Sequence, residues 1–531
     1  MSSDNSKNPP QPLSRRDFLS VAGGSVLLGG AGLLAGCGQS GSDNKVQGAG
    51  ADTGPKRGGR VRLGIMEGTQ VGDLDAHRPL GTGSFRGWVL YSKLWEWGLD
   101  ARPELALAES TELNHDGTEW IIRLKPGLEF HHGKTISADD VIFSLLRLTS
   151  PELAAPGGAQ LYDLDKANIK KLDERTVRIP FLSGRVALPE LWISWGGIVP
   201  TDYDPITNPV GAGPYKLKNF RPGQRSLFTR FENYYKPGQP YFDEVEILDF
   251  NDQLSRLMAL QAGQIDIAPN LAPELLPAVR SNPRLELVSS ETDAWQSFTM
   301  NLKQPPFDDV RVRKAFRLLA NREELVERVL QGYGRVGNDL YAPSDPTYNR
   351  QIPQRKQDLA EARRLLQEAG YGDGLEVELT TTAGLTGTAG LVLAEQARQV
   401  GVNIKLKLVD GSILSGPNRN NWPFSTASGV SRPLIYTLQL TDGPRSSANR
   451  TQFYDKRFSE LVLHTLSQAD ISKRRELVAE LQQIQHDRGG YLIWGFSNTN
   501  DAIASNIGGV TPDRTGFAAW RTDRIWRKNI T

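Results

Sequence analysis

The sequence predicts a mixed α/β fold for the body of this 531-residue chain. Three local patterns lead to that class. Apolar and polar residues alternate, as in half-buried strands, at residues 61–65 and 120–124. Helical patterns with capping residues follow several of these strands, and glycines stand where those helices end.

The first part of the body is predicted to contain strands, a turn and one helix. Residues 120–124 form a strand, Pro126 and Gly127 make a turn, and residues 128–130 return as a second strand. Ser137 and Asp140 have the spacing of a capping box, with apolar residues at helical spacing after them.

The middle of the chain repeats the same signals. Residues 241–250 contain a strand, residues 252–262 form a helix that ends at Gly263, and residues 265–267 form a short buried strand. Asp308 or Asp309 caps the next helix. A second capping box, formed by Asn321 and Glu324, begins the helix after it.

The clearest α/β unit lies beyond residue 357. Helices are predicted at 358–369 and 388–400, and strands at 375–379 and 402–409. A strand, a helix and a strand joined by short loops favour a right-handed parallel crossover. The glycine-rich run 384–390 resembles a phosphate loop but lacks the Lys-Ser/Thr ending, so a solvent-exposed loop is favoured over a nucleotide site.

The N-terminus predicts export. Residues 14–19, Ser-Arg-Arg-Asp-Phe-Leu, match the twin-arginine pattern, and a short glycine-rich apolar stretch follows. Leu34-Ala35-Gly36-Cys37 is the lipobox pattern, in which the Cys37 thiolate takes a lipid. We therefore interpret residues 1–36 as a signal peptide, Cys37 as the lipid attachment site and residues 37–57 as a flexible tether. The alternative is an incidental buried cysteine.

Charge and cysteine content exclude several function classes. The chain has a net charge of +1, and residues 1–36 carry three basic and two acidic side chains, which leaves a net charge of about zero for the rest. No bulk electrostatic attraction to nucleic acid is therefore expected. A single cysteine also excludes internal disulfides and cysteine-based metal or iron–sulfur sites.

Catalytic and metal sites are weak in this sequence. His131 and His132 are adjacent, so in an extended segment they point to opposite faces, and a shared metal ion is not favoured. The acid pairs 139–140 and 308–309 precede helices, where capping explains them. No Gly-x-Ser-x-Gly elbow is present, although a catalytic triad assembled in space remains open. We expect no cofactor, no metal and no enzymatic activity.

Residues 120–148 closely resemble the signature of family 5 extracellular solute-binding proteins, which serve peptide, nickel and opine ABC importers. The shared features are a strand, Lys-Pro-Gly, a phenylalanine, a His-x-Gly turn and a capped Ala-Asp-Asp-Val helix, with His132 in place of the usual Asp. Four further stretches resemble the family in the same order, at residues 211–215, 233–240, 262–266 and 300–313.

The resemblance implies a two-lobed fold of the periplasmic-binding-protein type, with a hinge and an inserted extra domain. Its implied parts are lobe one at 58–95, 205–298 and 495–531, the inserted domain at 96–204, and lobe two at 299–494. The implied function is capture of a peptide or other small organic solute by lobe closure, and delivery to an ABC permease. The protein would be a monomer held outside the cytoplasm by its lipid. An exported enzyme and a sensory lipoprotein are the alternatives.

The resemblance does not extend to the usual ligand-anchoring acid. Peptide-binding members carry an Asp that holds the peptide ammonium, but the matching position here is Gly429, and a second acid is replaced by Arg432. A peptide with a free N-terminus is therefore disfavoured. Arg432 would suit a carboxylate or phosphate, although a solvent-facing arginine is the ordinary alternative. Large aromatic rings also suit an organic solute. The predicted ligand-binding residues are Trp295, Trp422, Ser428, Arg432 and Trp494.

Overall fold

The computed structural model describes residues 54–66, 72–194, 196–446 and 448–528. The predicted signal peptide, Cys37 and Trp195 lie outside the described residues. Within the predicted tether, Lys56 already pairs with Arg527 in a β-bridge. Every helix in the described ranges is too short or too polar to cross a bilayer.

The N-terminal part of the described chain builds a small antiparallel sheet. In it the strands lie in the order β4-β5-β7-β6, and alternating residues such as Ile122 and Val177 enter a hydrophobic core. The elements of this part are β1 (Arg60–Met66), α1 (Gly83–Leu90), β2 (Trp95–Trp97), β3 (Pro103–Leu105), β4 (Ala108–Leu113), β5 (Glu119–Leu124), α2 (Ala138–Leu148), β6 (Lys170–Asp173), β7 (Thr176–Pro180) and α3 (Leu188–Trp192).

The middle of the chain ends in a strand much longer than its neighbours. This strand, β12, runs for 16 residues, well beyond the five or six that are typical of globular proteins. The elements of this part are β8 (Tyr215–Arg221), β9 (Arg225–Arg230), β10 (Glu244–Phe250), α4 (Gln253–Gln261), β11 (Ile267–Ala268), α5 (Leu276–Arg280) and β12 (Leu285–Met300).

The remaining part is rich in helices and returns through a second long strand, β17, of 14 residues. Its elements are α6 (Val310–Leu319), α7 (Arg322–Leu330), β13 (Gly334–Val336), α8 (Leu359–Glu368), β14 (Leu375–Thr381), α9 (Leu385–Arg398), β15 (Val402–Leu408), α10 (Gly411–Leu414), β16 (Phe424–Ser428), α11 (Leu434–Thr441), α12 (Lys456–Ser467), α13 (Ile471–Arg488), β17 (Tyr491–Ala504), β18 (Ile507–Gly508) and β19 (Trp526–Arg527).

One mixed sheet runs through the described body, with β12 and β17 at its centre. Its strands lie in the order β15-β14-β16-β12-β17-β11-β1-β10-β9-β8. The strand β16 pairs with the C-terminal half of β12, at residues 296–300, whereas β11 pairs with the C-terminal end of β17, at residues 502–503. The two sides of the sheet are therefore joined through the β12–β17 pair.

Local sequence signals predicted most of these elements correctly. Ser137 donates its backbone N–H to Asp140 Oδ2 over 2.9 Å at the start of α2. Asn321 Oδ1 accepts the backbone N–H of Glu324 over 3.0 Å at the start of α7. The strands β14 and β15 are parallel neighbours, as the crossover pattern predicted.

Three expectations differ from the structure. Residues 128–130 do not return as a strand, because only an isolated bridge between Glu129 and Thr135 forms there. The glycine-rich run is not a loop: α9 begins at Leu385, directly after Gly384, so most of the run is helical. The predicted strand at 265–267 is displaced to Ile267–Ala268.

A buried ion pair fastens α1 to the large sheet. The Arg86 guanidinium donates to both carboxylate oxygens of Asp249 on β10, at 2.8 and 2.7 Å. The two side chains are 0% and 1% exposed. Arg86 Nε also donates to Ser226 Oγ over 2.9 Å. Because α1 carries Trp88 and leads directly to Lys93, this pair fixes the position of both residues.

We predict that Asp249→Asn lowers the free energy of unfolding by about 3–5 kcal/mol, because it leaves the buried Arg86 cation without its counter-charge. The double change Arg86→Met/Asp249→Leu should recover most of that loss, since an apolar pair needs no neutralisation. Chemical denaturation followed by circular dichroism measures both. Glu480→Gln, which removes the partner of Arg457 at the surface, is the control and should leave the midpoint unchanged. An unchanged midpoint for Asp249→Asn would contradict the role of the pair.

Candidate functional site

A cavity of about 210 Å³ lies where distant parts of the chain meet. Its walls come from α1 and the segment after it, from the chain after α3, from the loop between β16 and α11, and from the C-terminal segment. The lining side chains that carry charge or a large ring are Asp75, Trp88, Tyr91, Lys93, Arg432, Phe517 and Trp520. A smaller space of about 40 Å³ shares Trp88, Tyr91, Lys93 and Trp520 with it, so the two form one site.

Three half-buried rings form the apolar wall of this site. The centroids of Trp88 and Phe517 are 4.8 Å apart, and those of Phe517 and Trp520 are 5.0 Å apart. Trp88 and Trp520 meet edge to face at 6.2 Å. These are ordinary distances for stacked and T-shaped aromatic pairs. The cluster offers flat, rigid surfaces to an organic solute.

Two cations face the same cavity. The Lys93 ammonium lies 4.2 Å from the centroid of the Trp88 ring. The Arg432 guanidinium lies 5.5 Å from the Phe517 centroid and 5.7 Å from the Tyr436 centroid. It also donates to the Ser431 carbonyl oxygen over 3.0 Å. Cation–π contacts of this kind hold a charge at a ring without neutralising it.

Burial lowers the pKa of both cations. Desolvation lowers the pKa of Lys93 to about 7, and the charge of Arg432 lowers it further, while Glu96 opposes the shift. Desolvation also lowers the pKa of Arg432, with Tyr436 opposing the change. The site is therefore electropositive and poorly hydrated.

The loop that carries Arg432 is held in place by Ser431. The Ser431 hydroxyl accepts the backbone N–H of Asp293 over 3.2 Å and donates to the Arg514 carbonyl over 2.9 Å. Asp293 lies in β12 where its pairing with β17 is irregular, between Ser290 and Ala294. The position of Arg432 is thus coupled to the two central strands.

Trp295 and Gly429 are in direct contact beneath this loop. Trp295 is 6% exposed and packs against Tyr341 and Tyr491, with centroid distances of 5.4 and 5.6 Å. Its carbonyl oxygen accepts the Gly429 N–H over 3.0 Å. A Cβ added at Gly429 would lie 2.3–2.5 Å from three atoms of the indole. With Trp295 in this place, no side chain fits at residue 429.

Of the predicted ligand-binding residues, only Arg432 lines the cavity. Trp295 lies beneath its wall. Trp422 is half-buried before β16, with its indole N–H donating to the Leu414 carbonyl over 3.3 Å. Ser428 is exposed at the end of β16, opposite Gln296. Trp494 is 1% exposed within a hydrophobic core, where a solute does not reach it in this conformation.

The sequence did not single out the other residues of the site. Trp88 was one of many tryptophans, and nothing near Lys93, Phe517 or Trp520 forms a motif. His131, considered for a metal site, instead uses Nε2 to contact the Gly213 carbonyl at 3.0 Å, and desolvation lowers its pKa to about 4.

Two larger cavities also occur within the described body. One of about 580 Å³ is lined by residues 148–159 together with Arg419 and Arg450. Another of about 520 Å³ contains Glu190, Asp345 and Arg474 among its lining residues. Neither cavity has a cluster of three rings like the one beside the two cations Lys93 and Arg432. We therefore take the smaller, chemically richer cavity as the candidate site.

Comparisons with known proteins agree with the fold. Residues 102–434 match the family described as bacterial extracellular solute-binding proteins, family 5 Middle. The chain is 24% identical over 480 residues to heme-binding protein A of Haemophilus influenzae, covering 81% of this chain and 86% of that protein. It is 27% identical over 454 residues to the glutathione-binding protein GsiB of Salmonella typhimurium, with coverages of 81% and 87%.

A solved structure shows the same architecture. The oligopeptide-binding protein AppA of Bacillus subtilis, in complex with a nonapeptide, superposes with a TM-score of 0.77 at 21% identity, covering 90% of this chain and 100% of that chain. The predicted α/β, two-lobed periplasmic-binding-protein fold is thereby confirmed.

We predict that Gly429→Ala lowers the free energy of unfolding by about 1–3 kcal/mol, because the new methyl group must displace the Trp295 indole from a packed core. Trp295 emission should shift in the same variant. Urea denaturation and fluorescence spectroscopy measure the two effects. Gly411→Ala is the matched control, since a Cβ there meets nothing within 4 Å. The packing argument is wrong if Gly429→Ala keeps the wild-type midpoint and spectrum.

Proposed function

Because the chain belongs to the bacterial extracellular solute-binding proteins of family 5, we propose that it captures its solute in the cavity lined by Trp88, Lys93 and Arg432. Members of this family are the solute-binding components of ABC importers. They bind and release without covalent chemistry. The solute of this chain is a small organic or peptide-like molecule, which it delivers to a permease.

The strongest support for this site is that its lining residues come from all three proposed parts of the protein. By the proposed division, Trp88, Lys93, Phe517 and Trp520 belong to lobe one (58–95, 205–298 and 495–531). Gly197 belongs to the inserted domain (96–204), and Arg432 to lobe two (299–494). A solute in this cavity would touch all three parts. Its binding would therefore favour the closed arrangement over any arrangement in which the parts separate.

The β12–β17 pair is the proposed hinge. These strands join the two sides of the large sheet, and their pairing is irregular between Ser290 and Ala294 and between Gln296 and Ser297. Irregular pairing bends a strand and interrupts its hydrogen-bond ladder. The hinge would thus lie directly beside the loop that carries Arg432.

We also propose that the protein is a monomer exported by the twin-arginine route and tethered through Cys37. The support is the sequence pattern at residues 14–19 and 34–37. Solute-binding relatives of this family work outside the cytoplasm. A lipid with a flexible segment would keep the receptor close to its permease.

We predict that Trp88→Ala weakens binding of the co-purifying solute at least tenfold, because it removes a ring from the centre of the site. The solute is released from natively purified protein, identified by mass spectrometry and titrated back by calorimetry. Trp422→Ala, at another half-buried tryptophan outside the cavity, is the matched control and should bind like wild type. Small-angle scattering should show a smaller radius of gyration with solute. Equal affinities for the two variants would reject this cavity as the site.

We predict that Cys37→Ser moves the protein from the membrane fraction to the soluble fraction, because serine cannot take the thioether-linked lipid. Fractionation and immunoblotting of the native host measure the change. The solute affinity of the soluble variant should equal that of wild type. Retention in the membrane fraction would contradict the lipid anchor without touching the binding site.

A further inference from the structure

Lys93 and Arg432 each lie over one of two rings, Trp88 and Phe517, that contact each other at a tilt of 43°. Lys93 Nζ lies 4.2 Å from the Trp88 centroid, Trp88 lies 4.8 Å from Phe517, and Arg432 Cζ lies 5.5 Å from the Phe517 centroid. The two cations therefore lie over neighbouring rings of one cavity wall, and the Arg432 charge is near enough to lower the pKa of Lys93. Both charges are presented to the same enclosed space.

Neither cation pairs with a carboxylate among the residues that the structure describes. Among the ion pairs of the described residues, none includes Lys93 or Arg432. Acids that line the site already serve other cations: Asp75 pairs with Arg147 at 2.7 Å, and Glu96 pairs with Lys236 at 2.8 Å. Some buried cations of this chain have a carboxylate, as Arg86 has Asp249, and others donate to backbone carbonyl oxygens, as Arg313 does to Phe307 and Arg488. Lys93 and Arg432 differ from both kinds because they face one cavity together.

An unpaired buried charge is costly, and two that repel each other are more so. The cost is visible in the lowered pKa of Lys93, to which burial and the Arg432 charge both contribute. Cation–π contacts offset part of it. The remaining electrostatic cost is removed when a ligand with the opposite charge enters the cavity.

The protein itself has no room for that counter-charge at residue 429. A side chain there would overlap the Trp295 indole, as described above. Residue 429, where the family resemblance implies the anchoring acid, is thus closed to any side chain by packing. A cationic ligand group would meet Lys93 and Arg432, while the acids that line the site, Asp75, Glu96 and Asp523, already pair with Arg147 and Lys236.

We propose that the solute of this protein carries an anionic group, a carboxylate or phosphate, held by Lys93 and Arg432, and a flat apolar part that packs on Trp88, Phe517 and Trp520. This inference rests on the proposed function and names the chemical class of the solute. Charge-assisted hydrogen bonds from both cations would hold the anion. The site thereby selects against neutral and cationic molecules of the same shape.

The test uses four probes that share a phenyl ring and differ in charge. They are 3-phenylpropionate, 3-phenylpropanamide, 3-phenylpropylamine and 2-phenylethyl phosphate, titrated into ligand-free protein by calorimetry at pH 6. We expect 3-phenylpropionate to bind at least tenfold more tightly than its amide, and the amine to bind most weakly. The phosphate probe decides which of the two anions fits better.

Two substitutions assign the selectivity to its residues. Lys93→Met and Arg432→Met should each lower the anion-to-amide preference at least threefold. The matched controls are Lys407→Met and Arg350→Met, which remove a lysine that lies over the Trp422 ring and an arginine that lies over the Tyr348 ring, neither of them in either part of the site. Both should keep the wild-type preference. Ligand-free Lys93→Met should be at least as thermostable as wild type, because the change removes an unpaired charge.

The preference for the anion should also fall as pH rises. With its pKa at about 7, Lys93 loses its charge between pH 6 and pH 8.5, while the probe carboxylate stays ionised. The Lys93→Met variant should show no such dependence. The charged groups that face Lys93 across the site are Asp75, Glu96, Lys236, Arg432, Arg521 and Asp523.

The inference is overturned if the amide binds as tightly as the carboxylate or if the amine binds best. It is equally overturned if no probe binds when the probe is in 10-fold molar excess over protein at millimolar concentration. It is also overturned if both methionine variants keep the preference. Should the co-purifying solute be neutral or cationic, solute capture stands and only the anion inference fails. If no solute co-purifies and no compound binds, the proposed function itself fails.

Discussion

The antiparallel pairing of β12 with β17 is the constraint on which the rest of the body depends. Among the described strands, backbone hydrogen bonding passes from the β16 side of the large sheet to the β11 side only through β12 and β17. The two strands therefore pair with each other along most of their length. Each also pairs with an outer strand over part of that length, β12 with β16 and β17 with β11. It does so with irregular pairing near Ala294, since a local interruption lets a strand bend without losing its hydrogen bonds on either side. The loops that reach the cavity are fastened at this bend, through Asp293 and Ser431.

The scaffold and the site differ in how their cations are neutralised. In the scaffold, several buried arginines are matched by a carboxylate: Arg86 by Asp249, Arg322 by Asp339, and Arg521 by Asp513. Arg313 donates to backbone carbonyl oxygens instead. Such pairing is what a desolvated charge requires. Lys93 and Arg432 depart from the carboxylate pairing together: neither has a carboxylate partner among the described residues, and both face one cavity beside the ring cluster. A departure of this kind is expected where the missing partner is a ligand.

Most of the fold could be predicted from the sequence because its signals are local. Capping residues such as Asn321 and glycines such as Gly401 mark helix ends within a few positions. The errors arose where local signals were weak: Leu385 begins α9 although the run after Gly384 reads as a loop. The site was harder, because its walls come from residues as far apart as Trp88 and Trp520, and no sequence pattern joins them. Trp494 shows the opposite error, since a large ring more often completes a core than meets a ligand.

A crystal structure of the protein with its co-purified solute tests the central claim most directly. We expect electron density for the solute in the cavity at Trp88, with an anionic group in hydrogen-bonding distance of Lys93 Nζ and the Arg432 guanidinium. Density confined instead to the larger cavity beside Arg419 and Arg450, with Lys93 and Arg432 left without a partner, would contradict it.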